Sequence, residues 1–456
     1  MTVIKRTAGR LFGLAAASAL VAGVSWGQAV DPDILARIEA LEGTASPYVD
    51  NTFLFLFAGL VVMFMAAGFM CLEAGLVRSK NAAMQSMKNI GLFSVAGLMF
   101  WLIGYNLLYP GSWAVGFGEE GGADFGVLGA FDFLWSADNS GSLDTGYSAE
   151  SDWYFQMVFV ATAASIVSGT VAERVKLWPF LLFTAALCGL IYPIQCSWQW
   201  GGGWLSDIGF SDFAGSTLVH SVGGWAALVG AIVIGPRIGK YFGDTVNAMP
   251  GSNIPLAGLG TFILWFGWFG FNGGSQLAMG NFDDVTAVST VFVNTNMAAV
   301  GGVLGAMILT AVLYKGKVDA TMVFNGAIGG LVSITAEPLT PSIGMAVLIG
   351  AIGGFLVVLS VPLLDKLKID DVVGAIPAHL VCGIWGTLAV PLTNSGTNFG
   401  AQIIGIVSIG AFVVVLSAIF WLLLKYTMGV RLSDEDQELG LDRSEVGLEA
   451  YPEFAG

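Results

Sequence analysis

Apolar runs, each close to the length that crosses a lipid bilayer, recur along this chain of 456 residues. A helix of about 20 apolar residues spans a hydrocarbon core of roughly 30 Å. Only 11% of the residues are charged, against roughly 25% in soluble domains. The runs therefore predict an all-α polytopic membrane protein. From residue 52 onward there are eleven of them: 52–76, 89–110, 153–173, 178–197, 215–236, 253–275, 284–314, 321–337, 342–364, 373–393 and 399–425.

Lysine and arginine follow only the odd-numbered runs. Basic residues in short loops stay on the cytoplasmic side of a membrane. The alternation therefore predicts eleven transmembrane helices, with the mature N-terminus outside and the C-terminal tail inside. The bases that mark the inner side are Arg78, Lys80, Lys88, Arg174, Lys176, Arg237, Lys240, Lys315, Lys317, Lys366, Lys368, Lys425, Arg431 and Arg443.

The N-terminus has the pattern of a secretory signal peptide. It begins with bases, continues with an apolar stretch and ends in small residues. The alternative is a first transmembrane helix, but the apolar part is short for one. The predicted segments are a signal peptide at 1–29, a short exported N-terminal segment at 30–51, a first transmembrane repeat of spans 1–5 at 52–236, a second repeat of spans 6–10 at 253–393, span 11 at 399–425 and a cytoplasmic regulatory tail at 426–456.

An internal repeat relates the fifth run to the tenth. Asp, Gly, His and Gly recur at the same spacing in DFAGSTLVHSVGGW, from Asp212, and in DVVGAIPAHLVCGIW, from Asp371. Five runs separate the copies, and an odd number inverts the second copy in the membrane. The architecture predicted is a five-plus-five inverted repeat with a final helix, and such proteins place their functional site near the midplane, between the repeats.

The repeat contains both histidines of the chain, His220 and His379. An intramembrane histidine is a functional hypothesis by default. A hydrogen-bonded packing role is the alternative for each ring, and a metal site is another, but two imidazoles fall short of the usual three or four ligands. Equivalent placement in the repeat favours a pair that lines a narrow pore and handles a small, protonatable solute. We predict no metal and no cofactor.

Other function classes find little support. The net charge of −15 argues against nucleic-acid partners. No Ser/His, paired-Asp or HExxH arrangement indicates an enzyme. Glu73, an acid at the edge of the first run, is interpreted as structural. The acidic stretch at 111–152 carries eight acids and no base; it is interpreted as a solvated loop, with steering of cations as the alternative.

At these residues the sequence resembles the ammonium transporter family (Amt/Mep/Rh), and its Amt branch in particular. The match from Asp212 to Arg237 runs position by position, and the resemblance covers about residues 50–451. CLEAG at 71–75 departs from the aromatic pair of some members. Further shared motifs are GLVRSKN at 75–81, FQMVF at 155–159, AERV at 172–175, WGGGW at 200–204, GWFGFNGGS at 267–275, HLVCGIWG at 379–386 and the tail at 429–451.

The resemblance implies an outer recruitment site for NH4+ at Trp200, Phe159 and Ser275. A compact cation can rest on an aromatic face while a hydroxyl accepts one of its N–H bonds. By the same resemblance Asp212 belongs to this substrate-binding site, where it holds the backbone in place more than it ligates the ion.

Below that site the resemblance implies a gate and a pore. Phe159 and Phe271 correspond to two stacked gate rings, and His220 and His379 to the pore histidines. The mechanism implied is selection of NH4+ outside, loss of its proton near the gate and passage of NH3 into the cytoplasm, with or without the proton.

The resemblance also implies the setting: the inner (plasma) membrane, contact with membrane lipid, a homotrimer and a possible PII-type signalling protein at the cytoplasmic face. Two other functions are weighed against uptake. One is a passive Rh-type channel for NH3 or CO2, which the Trp200 match disfavours. The other is an ammonium sensor, which usually carries an appended signalling domain, whereas 31 residues follow the last run here.

Overall fold

The computed structural model describes residues 32–117 and 125–454, so the predicted signal peptide at 1–29 lies outside the described residues. Helices stand at every predicted run, and eight of those described are long and apolar enough to cross a membrane. The all-α membrane class is confirmed. The helices are α1 Pro32–Leu76, α2 Ser79–Leu108, α3 Ala149–Thr170, α4 Leu177–Ser197, α5 Ser216–Ile234, α6 Ile254–Gly274, α7 Phe282–Leu313, α8 Ala320–Thr335, α9 Ile343–Lys366, α10 Ile376–Leu392, α11 Phe399–Thr427 and, in the tail, α12 Asp434–Leu439.

Two features differ in detail from the sequence predictions. Helix α1 begins at Pro32, so residues 32–51 of the segment predicted at 30–51 continue into the first apolar run as one helix. The acidic stretch contains an antiparallel pair, β1 (Trp113–Phe117) and β2 (Phe125–Gly129). A second pair, β3 (Tyr241–Phe242) with β4 (Thr245–Val246), follows α5.

Helices that correspond in the two repeats pack against each other. Helix α1 lies along α6, and α5 crosses α10. The second crossing depends on the repeated glycines: a Cβ on Gly224 would lie 2.8 Å from the backbone of Leu380, and one on Gly383 would lie 2.3 Å from the carbonyl oxygen of Ser216. No larger side chain fits at such distances. The glycines of the repeat therefore let α5 and α10 approach closely enough for their histidines to meet.

A buried ion-pair network joins the helix ends at one end of the bundle. Glu173, after α3, accepts from Arg78 at 2.6 Å and lies 3.5 Å from Arg237. Arg237 donates two side-chain hydrogen bonds to Asp370. Burial raises the pKa of Asp370, but the hydrogen bonds and charges of Arg237 and Arg174 outweigh it, so the pKa lies well below its ordinary value. This carboxylate therefore stays ionised far into the acid range, and the connections after α1, α3, α5 and α9 meet there.

Lys88 differs from the other bases that follow the odd-numbered runs. Its side chain is fully buried within α2, where its ammonium group lies 3.6 Å from Glu73 and 5.3 Å from the centre of the Phe180 ring. It was counted with the loop bases because the predicted second run began only at residue 89. The structure places Lys88 inside α2, with a buried acid as its partner, so its assignment to the loop is wrong.

The C-terminal tail folds back onto its own chain at the end that holds the arginine network. Asp442 accepts hydrogen bonds from the backbone N–H groups of Ala83 and Met84, near the start of α2. Lys80 donates to the carbonyl oxygens of Gln437 and Glu438. These contacts tie the tail to the start of α2, directly beside the ion-pair network.

Candidate functional site

A cavity of about 400 Å³ opens at the end of the bundle opposite the arginine network, where α3 begins. Three of the residues predicted for recruitment line it: Trp200, Phe159 and Ser275. We call it the aromatic cavity. The Trp200 ring meets the Phe159 ring edge-on at 6.2 Å, and the Ser275 hydroxyl donates to the carbonyl oxygen of Phe271 at 2.8 Å. That bond leaves the lone pairs of the hydroxyl free to accept from a cation.

Asp212 lies behind this cavity and does not line it. Its carboxylate is fully buried and accepts four backbone N–H bonds of 2.7–2.9 Å at the start of α5, from Gly215, Ser216, Thr217 and Leu218. The Trp200 indole N–H donates to the backbone carbonyl of Asp212 at 3.0 Å. The side chain thus fixes the first turn of α5 and, through its own backbone, the orientation of Trp200.

Two phenyl rings close the bottom of the aromatic cavity. Phe159 from α3 and Phe271 from α6 stack with ring centres 3.9 Å apart and planes inclined by 20°. Phe155, one turn before Phe159, packs at 4.7 Å from it. The rings of Phe159 and Phe271 are both almost completely buried. The stacked pair therefore lies between the aromatic cavity, which Phe159 lines, and His220, which contacts Phe271.

The two histidines meet directly below the Phe271 ring. Their Nδ1 atoms are 3.3 Å apart, and His220 stacks on Phe271 at 5.1 Å and on Trp268 at 4.9 Å. In a neutral pair one Nδ1 donates and the other accepts. The Nε2 atom of His220 is buried and has no hydrogen-bond partner among the described residues. In that part of the chain no third His, Cys, Asp or Glu completes a group able to hold a metal ion.

The same local backbone structure positions the rings of His220 and His379, in the two copies of the sequence repeat. Each histidine lies in a π-helical first stretch, Ser216–Ser221 in α5 and Ile376–Val381 in α10. A left-handed glycine precedes each stretch, at φ 109° for Gly215 and 78° for Gly374. Asp371 repeats the capping role of Asp212, because it accepts from the backbone N–H of Ile376 at 2.7 Å.

Sequence reasoning missed four polar residues of the aromatic cavity: Tyr105, Tyr109, Asp152 and Gln156. Tyr105 donates to Asp152 at 2.5 Å, and Gln156 donates to the Tyr109 hydroxyl at 2.7 Å. The Gln156 carbonyl oxygen is buried without a partner in the described structure. Asp152 was grouped with the acidic loop, yet it lies in α3 and is 7% exposed. Asp152 lies four residues before Gln156, and Gln156 lies three before Phe159. This helical spacing, which puts the three side chains on one face of α3, could have predicted that Asp152 belongs to the site.

The Ammonium Transporter Family profile matches residues 52–451. The chain belongs to the ammonium transporter family. Ammonium transporter Amt2 of Archaeoglobus fulgidus is 40% identical to it over 431 residues, covering 88% of this chain and 87% of that protein. Ammonium transporter 1 member 3 of Solanum lycopersicum is 33% identical, over 88% of this chain and 93% of its own length.

Solved structures of this family share the fold. A sensor Amt protein superposes with a TM-score of 0.79 at 36% identity, over 87% of this chain and 98% of that one. Mep2 of Candida albicans superposes with a TM-score of 0.75 at 25% identity, over 86% of this chain and 88% of that one. The family is one of transporters, and this member is a multi-pass membrane protein.

Proposed function

We propose that this protein carries ammonium into the cell by binding NH4+ in the aromatic cavity, releasing its proton near the phenyl gate and passing NH3 between the histidines. One observation carries the proposal. Trp200, Phe159, Phe271, His220 and His379 form an unbroken column of ring contacts from the cavity into the core, with centres 3.9–6.2 Å apart.

The column of rings explains why NH4+ must lose its proton before it enters the core. An ammonium-sized ion in a medium of low dielectric constant incurs a cost of order 20 kcal/mol before compensation. The rings that contact the Phe159–Phe271 pair are those of Phe155, Trp200, Trp268 and His220, and none of these four side chains supplies a negative charge to the ion. Neutral NH3 avoids that cost, and the nitrogen atoms of the histidines then give it hydrogen-bond partners along the path.

The aromatic cavity supplies what selection of the ion requires. The indole and phenyl faces attract a cation by about 0.5–2 kcal/mol each. Oxygen atoms of Ser275 and Gln156 accept N–H bonds, which NH4+ can donate and K+ cannot. Asp152 adds a buried negative charge to the lining. Selection between two cations of similar size therefore rests on hydrogen-bond donation.

The rest of the arrangement follows from the resemblance and from the basic residues. We place the aromatic cavity outside and the arginine network in the cytoplasm of a cell inner membrane crossed by eleven helices, after cleavage of the signal peptide. A homotrimer with one pore in each subunit and a PII-type regulator at the cytoplasmic face belong to the same proposal. The tail docked beside α2 supports a regulatory role for that face.

A current measurement tests the proposal. Purified protein in liposomes on a solid-supported membrane is expected to give a transient inward current on a jump in NH4+ and none on an equal jump in K+. Empty liposomes serve as the control. A persistent NH3 flux without current would favour a passive channel of the Rh type. Ammonium binding without current or flux would favour a sensor, and an equal response to K+ would contradict selection by hydrogen bonding.

Neutralising the acid of the aromatic cavity is expected to weaken recruitment. Asp152→Asn keeps the hydrogen bond with Tyr105 but removes a buried negative charge, so the concentration of NH4+ at half-maximal current should rise roughly tenfold, equivalent to about 1.4 kcal/mol. The matched control is Asp132→Asn, an exposed acid outside the cavity lining, which should change little because exposed charges are screened. Equal effects of the two variants would show that Asp152 acts only through overall surface charge.

A further inference from the structure

Glu73 is a buried acid whose position the proposed transport path does not yet use. It lies in α1 with no exposed surface. One carboxylate oxygen, Oε2, accepts from the Ser168 hydroxyl at 2.8 Å and lies 3.6 Å from the Lys88 ammonium group. Lys88 in turn donates to the Ser168 carbonyl oxygen at 2.8 Å. This cluster joins α1, α2 and α3 at the depth where the column of rings ends.

The other oxygen of Glu73 has no such partner. Oε1 is buried and makes no hydrogen bond among the described residues. Glu73 also lines a small cavity of about 10 Å³ together with His379, Phe69, Ser165 and Asn325. That volume is about what one water-sized molecule requires, and such a molecule needs two to four polar partners. A buried acceptor without a partner beside a cavity of that size and a histidine marks a place for one small hydrogen-bonding molecule.

We propose that Glu73 exchanges protons with ammonia at the inner end of the pore, so that NH3 regains its proton in this cavity. The inference rests on the proposed transport of ammonium. It adds the group that restores the charge after the histidines, on the side of the arginine network. His379 and Glu73 line the same small cavity, so a solute that leaves the histidine pair enters it beside Glu73.

The step balances without any further reactant. The proton that NH4+ releases near the gate passes the histidine pair and is accepted by the Glu73 carboxylate, forming an O–H bond. When NH3 arrives, that O–H bond breaks, an N–H bond forms, and NH4+ leaves beside the regenerated carboxylate. One ammonium ion enters and one leaves, with one net charge moved.

Lys88 makes both states of the acid accessible. With Glu73 ionised, the two opposite charges compensate each other in the low-dielectric interior. With Glu73 protonated, Lys88 keeps its hydrogen bond to Ser168 and its contact with the Phe180 ring, so its charge retains partners. The lysine is thus a positioning residue, and the carboxylate is the group that carries the proton.

Two readouts from one preparation test the inference. Glu73→Gln keeps the size of the side chain and an acceptor for Ser168 but cannot carry a proton. The current on an NH4+ jump should fall at least tenfold, while NH3 still passes without its proton, so a pH dye inside the liposomes should report an alkalinisation that wild type, which delivers NH4+, does not give beyond empty liposomes. Glu73→Asp should recover part of the current, and a structural role would not separate current from flux.

Two further variants address folding. Glu73→Gln combined with Lys88→Met removes the unpaired buried charge and should fold while still lacking current. Glu173→Gln is the matched control, since Glu173 is an equally buried acid paired with arginines and does not line the small cavity; its current per folded protein should remain.

Each result decides the inference. Wild-type current in folded Glu73→Gln would overturn it, and so would a wild-type protein that gives flux without current. If wild type gives neither current nor flux, the proposed transport itself fails and the inference fails with it.

Discussion

Asp212→Ala is expected to lower the free energy of unfolding by about 3–6 kcal/mol, one of the two largest effects that the structure predicts. Four backbone N–H groups at the start of α5 lose their acceptor together. A buried donor left without a partner costs about 1–3 kcal/mol, and partial relaxation reduces the sum. Thermal unfolding in detergent, followed by tryptophan fluorescence, measures the loss.

Two comparisons make this prediction specific. Asp212→Asn keeps one carbonyl oxygen for Gly215 and Ser216, but turns an amide toward the donors of Thr217 and Leu218, so it should lie between wild type and Asp212→Ala. Asp319→Ala is the matched control: Asp319 caps α8 by accepting from two backbone N–H groups, and its loss should cost about 1 kcal/mol. Equal losses for Asp212→Ala and Asp319→Ala would contradict the role of Asp212 as a fourfold acceptor.

The sequence was sufficient for the helices because lipid leaves the chain few choices. Backbone groups in hydrocarbon must bond within their own segment, so each long apolar run becomes a helix. The ends of the helices were predicted less accurately, as the start of α1 and the position of Lys88 within α2 illustrate. The polar stretch before the first apolar run continues the same helix, and a buried acid on a neighbouring helix allows Lys88 to enter the core.

The candidate site likewise has one part that the sequence predicts and one part that it does not. His220 and His379 were predicted to line one pore because the repeat gives them equivalent positions, and the structure places their rings in contact. The sequence marks Glu73 only as an acid at the edge of the first run, because its surroundings comprise a lysine of α2, a serine of α3 and a small cavity beside α10. Contacts among four helices cannot be read from the spacing within one.

The histidine pair is expected to show the largest functional effect. In His379→Ala, ammonium flux should fall at least tenfold, because the solute loses the polar partner between the phenyl gate and the inner cavity. The space left by the ring is polar on the His220 side and can admit water. A wetter path lowers the cost for any cation, so the preference for NH4+ over K+ should shrink at least tenfold, equivalent to about 1.4 kcal/mol. His220→Ala should behave in the same direction.

A control variant separates this effect from a general loss of packing. Phe183 is a fully buried ring that stacks on Trp421 at 4.1 Å, away from the column of pore rings. Phe183→Ala also leaves a large cavity and should destabilise the protein by about 3–5 kcal/mol. Its current and selectivity, normalised to folded protein, should match wild type.

The most direct test of the central claim is the ratio of NH4+ to K+ current in reconstituted His379→Ala and His220→Ala, measured on solid-supported membranes beside wild type and Phe183→Ala. The account predicts a reduced ammonium current and a reduced ratio in both histidine variants, with Phe183→Ala unchanged. Wild-type current with wild-type selectivity in either histidine variant would contradict passage of ammonia between these two rings.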